Sequence, residues 1–254
     1  MKLLKAMAIA FSIYSKIPVP QFEWKEEDME YMMCFFPWIG GVIGLFFFGW
    51  AVLCEKFAVG NVCYALIGAA IPLMISGGFH VDGYMDTMDA FHSYQSREKK
   101  LEILKDSHIG AFAAIMLALY YMIDIAAISE IHTQKAVSAL AAVFFLARCF
   151  SGIAVMTLQP AKKEGLLYTF ASSAQKVRVK AALYFQTALC VVLMLLVSGW
   201  YGAAAIGAAL LSFFYFKKKS YKELGGITGD TAGFFVTVCE AAAAAAVAVA
   251  GYFL

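Results

Sequence analysis

The chain has 254 residues, 62% of them hydrophobic and 15% charged, with a formal net charge of +2. That apolar share is well above the roughly 45–50% of ordinary soluble domains, whereas the net charge says little on its own. The composition excludes a soluble globular domain and leaves an integral membrane protein in contact with the lipid bilayer, with no nucleic acid expected as a partner.

The first elements are an apolar stretch and its polar ends. Lys2 and Lys5 precede the stretch, but Lys16, Pro18 and Pro20 follow it without a small-residue cleavage pattern. This predicts an uncleaved helix on the membrane surface, ended by the prolines. Seven apolar runs come next: Tyr31 to Leu53, Val62 to Phe79, Ile109 to Ile128, Ala136 to Leu158, Ala181 to Ser198, Tyr201 to Phe216 and Ala232 to Leu254. The longer ones match the roughly 20 helical residues that cross a hydrocarbon core. The second and sixth are short for a span, and the sixth could instead be re-entrant. The expected fold class is therefore all-α: one polytopic integral membrane helical bundle over residues 1–254, with about seven transmembrane helices (about six to eight) plus interfacial helices. Six cysteines, Cys34, Cys54, Cys63, Cys149, Cys190 and Cys239, stand singly in apolar surroundings. Without a C-x-x-C pair they read as small core residues, not as zinc ligands or disulfide partners. The run Ala241 to Ala246 in the last span permits close helix packing.

Basic and charge-poor connections alternate. Lys2, Lys5 and Lys16 precede the first span; Arg97, Lys99, Lys100 and Lys105 follow the second; Lys162, Lys163, Lys176, Arg178 and Lys180 follow the fourth; Lys217, Lys218, Lys219 and Lys222 follow the sixth. The positive-inside rule places these segments and the N-terminus in the cytoplasm and the C-terminus outside. The expected active face comprises segments 77–110, 159–180 and 217–231.

The segment Gly77-Gly78-Phe79-His80-Val81-Asp82-Gly83-Tyr84-Met85-Asp86-Thr87-Met88-Asp89 carries the strongest chemical signal. On a helix, Asp86 and Asp89 fall within roughly 40° of Asp82, while Tyr84, Met85, Met88 and Phe91 cover the other side. Like charges at helical spacing cost about 0.2–0.5 kcal/mol per pair, so the stripe suggests a cation that offsets the repulsion. Carboxylate oxygens without cysteine point to Mg2+, or to Mn2+. Gly77, Gly78 and Gly83 lower helix stability by about 1 kcal/mol each relative to alanine, but let backbone approach a ligand. His80 could act as a base, a metal ligand or a hydrogen-bond partner, or be purely structural.

Two later segments place polar residues at the starts of membrane helices: Lys105-Asp106-Ser107-His108-Ile109-Gly110 and Gly225-Gly226-Ile227-Thr228-Gly229-Asp230-Thr231. N-capping explains such residues, and phosphate binding at the exposed N–H groups is compatible with it. Two such helix starts facing an acid-bound metal would make a pyrophosphate site. Arg148 and Glu240 lie within spans, where a charge costs about 2.5–3.5 kcal/mol. They are expected to pair and close the floor of a cytoplasmic cavity. Asp124, near the outer end of the third span, is expected to reach the interface.

These segments resemble the cobalamin synthase family, the adenosylcobinamide-GDP ribazoletransferases. Gly77-Gly78-Phe79-His80-Val81-Asp82-Gly83 with Asp86-Thr87 and Asp89 is similar to the family's G-G-x-H-x-D-G-x-x-D-T-x-D pattern. Lys105 to Gly110 is similar to K-D-S-R-I-G, and Gly226 to Asp230 to G-I-T-G-D. Lys16 to Pro20, Phe36-Pro37 to Gly41, Arg148 and the Glu164-Gly165 turn follow in the family's order. His108 stands where Arg is expected and Lys16 where Arg is common; the first weakens any role of that position as a permanent bidentate phosphate clamp.

The resemblance implies transfer of the cobinamide phosphate of adenosylcobinamide-GDP to the hydroxyl of α-ribazole or its 5′-phosphate, with release of GMP. It also implies a multi-pass enzyme of the prokaryotic cytoplasmic membrane that soluble enzymes of the same pathway can reach, with a homo-oligomer as one option. On that reading Asp82, Asp86 and Asp89 hold metal, and Arg97 and Lys105 contact phosphates with Ser107 beside them. Asp106 or His80 orients or deprotonates the hydroxyl, Asp230 with Thr228 holds a second metal or substrate, and Arg148 binds substrate. Gly77, Gly78, Gly83, Gly110 and Glu240 shape the pocket. The rival readings are a phospholipid synthase of the CDP-alcohol type, an aspartate-rich prenyltransferase and a transporter. The first uses D-x-x-D-G-x-x-A-R, and Asp82-Gly83 here lacks both the earlier Asp and the Ala-Arg pair. A transporter site would lie near the midplane between broken helices.

Overall fold

The computed structural model describes residues 2–20, 23, 25–162, 167 and 174–253. Helix α1, Lys2–Tyr14, buries Ala6, Ile9, Ala10 and Tyr14 on one face and leaves Leu3, Leu4 and Met7 exposed. It ends where the Ser15 hydroxyl donates to the Phe11 carbonyl at 2.6 Å, ahead of Pro18. Two 3-10 turns, Glu26–Met29 and Met32–Cys34, lead into α2, Phe36–Lys56, which opens with Pro37 in its first turn. The following helices are α3 (Asn61–Ser76), α4 (Phe79–His92), α5 (Arg97–Ile103), α6 (Ala111–Ile128) and α7 (Gln134–Thr157). Helices α8 (Lys176–Ser198), α9 (Trp200–Leu224) and α10 (Gly229–Gly251) complete the described chain.

The result is an all-α polytopic membrane bundle in which each of the seven apolar runs contributes a helix. Five of these, α2, α6, α7, α8 and α10, are long and apolar enough to cross a membrane, or six if α3 and α4 form one bent span. This falls at or below the low end of the expected number for two reasons. Helix α3 stops after 16 residues, and α9, although 25 residues long, continues past its apolar run into Lys217, Lys218, Lys219 and Lys222.

The apolar windows of α7 and α10 are 78% and 72% buried, against 22% for α6 and α8, so α7 and α10 form the centre and the other two face outward. Close approach of backbones makes that centre tight. A Cβ on Gly40 or Gly44 of α2 would run into the carbonyls of Phe144 and Ala141 on α7. Four-residue spacing of the two glycines creates a groove along α2 into which α7 settles.

The second apolar run departs from the expected single helix. Gly77 and Gly78 both adopt positive φ, +66° and +85°, and α4 leaves α3 at 97°. Two consecutive left-handed residues are tolerable only as glycine. The bend takes α4 off the crossing direction and lays it along the first half of α10. There Tyr84 stacks on Phe234 with ring centroids 5.9 Å apart, and its hydroxyl donates to the Met116 carbonyl of α6 at 3.0 Å. Gly199 alone connects α8 to α9. At the other end of α9, Glu223 pairs with Lys100 of α5 and with Lys219. The end of α7 meets the approach to α10 in an isolated parallel bridge: Ile227 N donates to the Gln159 carbonyl at 3.0 Å, and Ala161 N to the Ile227 carbonyl at 2.8 Å.

Asp124 corrects the expectation that it reaches the interface. It is buried, and lines a small internal gap with Pro72, Tyr120, Ile128, Leu140, Phe144 and Glu240.

Candidate active site

A cavity of about 580 Å³ opens where α4, the start of α10, the end of α7 and the segment after α5 converge. That volume suits a small ligand or the reacting end of a larger one. Its lining includes the polar Asp82, Lys105, Lys162, Thr228 and Asp230, and, among larger side chains, Tyr14, Met33, Phe36, Phe79, His80 and Leu167.

Packing of α4 on α10 assembles the acidic part. A Cβ on Gly83 would lie 2.8 Å from the Asp230 carbonyl oxygen, so the missing side chain lets Asp82 and Asp230 come to one wall. Asp86, one turn on from Asp82, faces Asp82, Asp230 and Asp89 as like charges. Lys162 offsets part of this charge at Asp230, and its ammonium also donates to the Leu101 carbonyl at 2.7 Å. Asp82 additionally borders a second cavity, on the other side of α4, with Lys16, Gly77 and Gly78.

Thr228 caps α10. Its hydroxyl accepts from Thr231 N at 3.1 Å, while Thr228 N donates to the Thr231 hydroxyl at 2.8 Å. It also donates to Asp230 Oδ2 at 3.3 Å. The N-capping reading holds here together with a place on the cavity wall.

The second helix start is used differently from the paired phosphate site expected. Asp89 accepts from Gly110 N at 2.7 Å and from Ala113 N at 2.8 Å, so one carboxylate holds two of the free amides that open α6. A Cβ on Gly110 would meet that carboxylate at 2.5 Å, which explains the glycine. Asp89 is thus the cap of α6, and of the two helix starts the α10 N-terminus is the one that lines the cavity.

Asp106 and His108 are exposed and bound to each other, Nδ1 to Oδ1, at 2.6 Å. Hydrogen bonding to His108 holds the Asp106 carboxyl below the usual carboxylate range, and the same contact raises the imidazole. Neither borders the cavity; Ser107 is exposed beside them, and Arg97 packs its guanidinium against Gly225. Arg148 and Glu240 pair as expected, with Nη1 to Oε1 at 2.7 Å and the arginine 1% exposed; Nη1 also donates to the Phe144 carbonyl at 2.8 Å. Neither lines the cavity, although Ser151, one turn along α7 from Arg148, does. The Glu164-Gly165 turn, Ser172 and Ser173 lie outside the described residues.

Sequence reasoning missed Lys162, Tyr14 and Phe36 as cavity residues. Lys162 carried only a topological signal, and it is the bridge between Gln159, Ala161 and Ile227 that brings it to the cavity. Among the described residues no group of three or more His, Cys, Asp or Glu side chains is arranged as a ready-made metal site.

The fold and cavity together define a polytopic α-helical membrane protein whose acidic and lysine-bearing pocket is suited to a charged phosphate group. The chain belongs to the cobalamin-5-phosphate synthase family, whose model matches residues 6–248, and it is accordingly an enzyme, a transferase of cobalamin biosynthesis. It is 44% identical over 250 residues to an adenosylcobinamide-GDP ribazoletransferase of Lachnoclostridium phytofermentans, covering 98% of this chain and 95% of the relative. Relatives of the same name from two Clostridium botulinum strains, Alaska E43 and Eklund 17B, are 31% and 33% identical, each covering 94% of both chains. No solved structure matches.

Proposed function

We propose that the protein transfers the cobinamide phosphate of adenosylcobinamide-GDP to the hydroxyl of α-ribazole or its 5′-phosphate. The hydroxyl oxygen bonds to the phosphorus on the cobinamide side of the pyrophosphate, and the bond from that phosphorus to the bridging oxygen breaks. GMP leaves with that oxygen, and the hydroxyl proton passes to the carboxylate cluster. The observation that carries this reading is the convergence of Asp82, Asp230, Lys105 and Lys162 on one cavity at the α10 N-terminus.

The donor chemistry fits Mg2+. This cation is usually held by one or two carboxylates together with substrate phosphates, so a preformed protein cage is not required. Asp82 and Asp230 would hold it with Asp86 adjoining, and when bound it would neutralise charge on the phosphoryl oxygens. Lys105 and Lys162 bind the pyrophosphate oxygens, and the α10 amides orient them. Asp89 supports this arrangement by fixing α6 against α4. The positive charge of the basic loops supports a reading in which the cavity opens at the cytoplasmic face of the cell membrane.

The test is turnover. Membranes containing the protein should convert GDP-cobinamide plus α-ribazole to the joined product when Mg2+ is supplied. Chelation, or Asp82→Asn or Asp230→Asn, should lower turnover at least about a hundredfold with the protein still in the membrane. Full activity in either variant would remove that residue from the metal assignment, and no turnover by the wild type would remove the reaction.

A further inference from the structure

The second cavity, of about 550 Å³, is bounded by the end of α1, the break between α3 and α4, and α6. The charged groups of its lining are Lys16 and Asp82, both exposed, and they do not pair with each other. Among the described residues the Lys16 ammonium has neither an ion-pair nor a hydrogen-bond partner. The residue itself is anchored: its amide donates to the Ile75 carbonyl at 2.8 Å, and its stem fills the space that a Cβ on Gly77 would take. Ser76 adds a second unsatisfied group. It is 7% exposed and lines the same cavity; its hydroxyl has no hydrogen-bond partner among the described residues, and the oxygen keeps accessible surface through which a ligand can reach it. The first helical bond of α4 runs from Asp82 N to the Gly78 carbonyl, so the amides just before Asp82 have no acceptor within the helix. A cation, a hydroxyl and helix-opening amides around one space suit a phosphate.

We propose that the second cavity holds the 5′-phosphate of the acceptor nucleotide, bound by the Lys16 ammonium and the Ser76 hydroxyl, with a ribose hydroxyl turned toward Asp82. This deepens the proposed function and rests on it. Lys16 calls for an anion and Asp82 for a hydrogen-bond donor, and a phosphorylated sugar carries both on one small molecule. The volume is in the range of small-ligand sites. Asp82 and Phe79 line both cavities, so a sugar held at Asp82 borders the space assigned to the pyrophosphate. α-Ribazole and α-ribazole 5′-phosphate differ by that one phosphate. Lys16 and Ser76 are then the residues that set the preference between them, and they act on affinity for the acceptor rather than on the bond that breaks. The phosphate of a bilayer lipid would satisfy Lys16 by the same chemistry, and the test separates the two sources.

Affinities for α-ribazole and for its 5′-phosphate are measured by calorimetry on the detergent-solubilised full chain without the donor, so that the site is read apart from turnover. The wild type should bind the phosphorylated acceptor about ten- to a hundredfold more tightly, the range of a charge-assisted hydrogen bond. Lys16→Gln should reduce that ratio at least about fivefold, Lys16→Arg should keep most of it, and Ser76→Ala should reduce it about two- to fivefold. Equal affinities in the wild type overturn the proposal and need no variant, so a misfolded Lys16→Gln cannot shelter it. An unchanged ratio in a folded Lys16→Gln overturns it as well. Phosphatidylglycerol that copurifies with the wild type and is lost in Lys16→Gln, with the acceptor ratio unchanged, would assign the cation to a lipid headgroup instead. Absence of turnover with both acceptors counts against the proposed reaction, whereas turnover with equal affinities removes this site alone.

Discussion

Asp89 gives both carboxylate oxygens to the opening turn of α6, although its spacing from Asp82 and Asp86 aligns it with them on a helix. The helical spacing was legible because it is local; the partner was not, because Gly110 is brought to Asp89 by tertiary packing. Asp89→Ala should lower stability by about 1–2 kcal/mol, as loss of a cap does, with the apparent Mg2+ requirement of turnover unchanged. Thermal unfolding in detergent and a Mg2+ titration of the residual activity check the two halves. The Arg148–Glu240 pair was legible from the sequence, since two charges buried in spans at similar depth have few other solutions. Glu240→Gln should cost about 3–5 kcal/mol by leaving the guanidinium unpaired, and Arg148→Met with Glu240→Leu should recover most of it; denaturation midpoints decide. His108 makes a pH-dependent contact. Its raised imidazole keeps its charge up to a pH above the ordinary value of 6.5, and Asp106 keeps its charge down to a pH below the usual carboxylate range. The pair is therefore complete between those two limits, lost on the acid side as Asp106 protonates and on the alkaline side as His108 deprotonates. In Asp106→Asn the His108 titration followed by NMR should fall back toward 6.5.

Among the elements, the break between α3 and α4 sets the site. The apolar run from Val62 to Phe79 conceals it, because hydropathy does not register backbone sign; only the adjacent glycines Gly77 and Gly78 hinted at close backbone approach. Alanine at either position should cost about 1–2 kcal/mol for the left-handed conformation. Gly77→Ala should cost more, because its Cβ would also strike the Lys16 side chain, whereas at Gly78 the nearest atom is 3.6 Å away on Leu73. Lys16→Ala should narrow the difference between the two, as read from unfolding midpoints. The close contact of α2 with α7 at Gly40 and Gly44 was likewise present in the sequence as small residues, but nothing local said which helix would fill the groove.

For the whole molecule, composition was enough to read the all-α membrane bundle, and order of motifs enough to read the family. The number of spans was less legible, because α9 exchanges apolar length for a lysine-bearing end that anchors α5 through Glu223. The proposed orientation has a direct check. In a cysteine-free background, Lys218→Cys should react with a membrane-impermeant maleimide only after cells are opened, and Lys135→Cys should react in intact cells; the reverse pattern would invert the protein.

The position of α10 has a consequence for biogenesis. Helix α10 follows the other nine in chain order and is one of the two at the centre, and it brings Thr228 and Asp230 to the cavity and Ile227 to its bridge with Gln159 and Ala161. Until it emerges from the ribosome, α7 packs on α2 and α4 on α6, but the faces that each turns to α10 are uncovered, and the aspartates of α4 stand without the second wall. Docking of α10 is therefore a long-range closure onto pairs already formed, the class of step that is slow and leaves apolar faces open meanwhile. A chain arrested before Ile227 would be inserted in the membrane yet own no pocket, and would depend on the quality-control machinery of the bilayer for its fate.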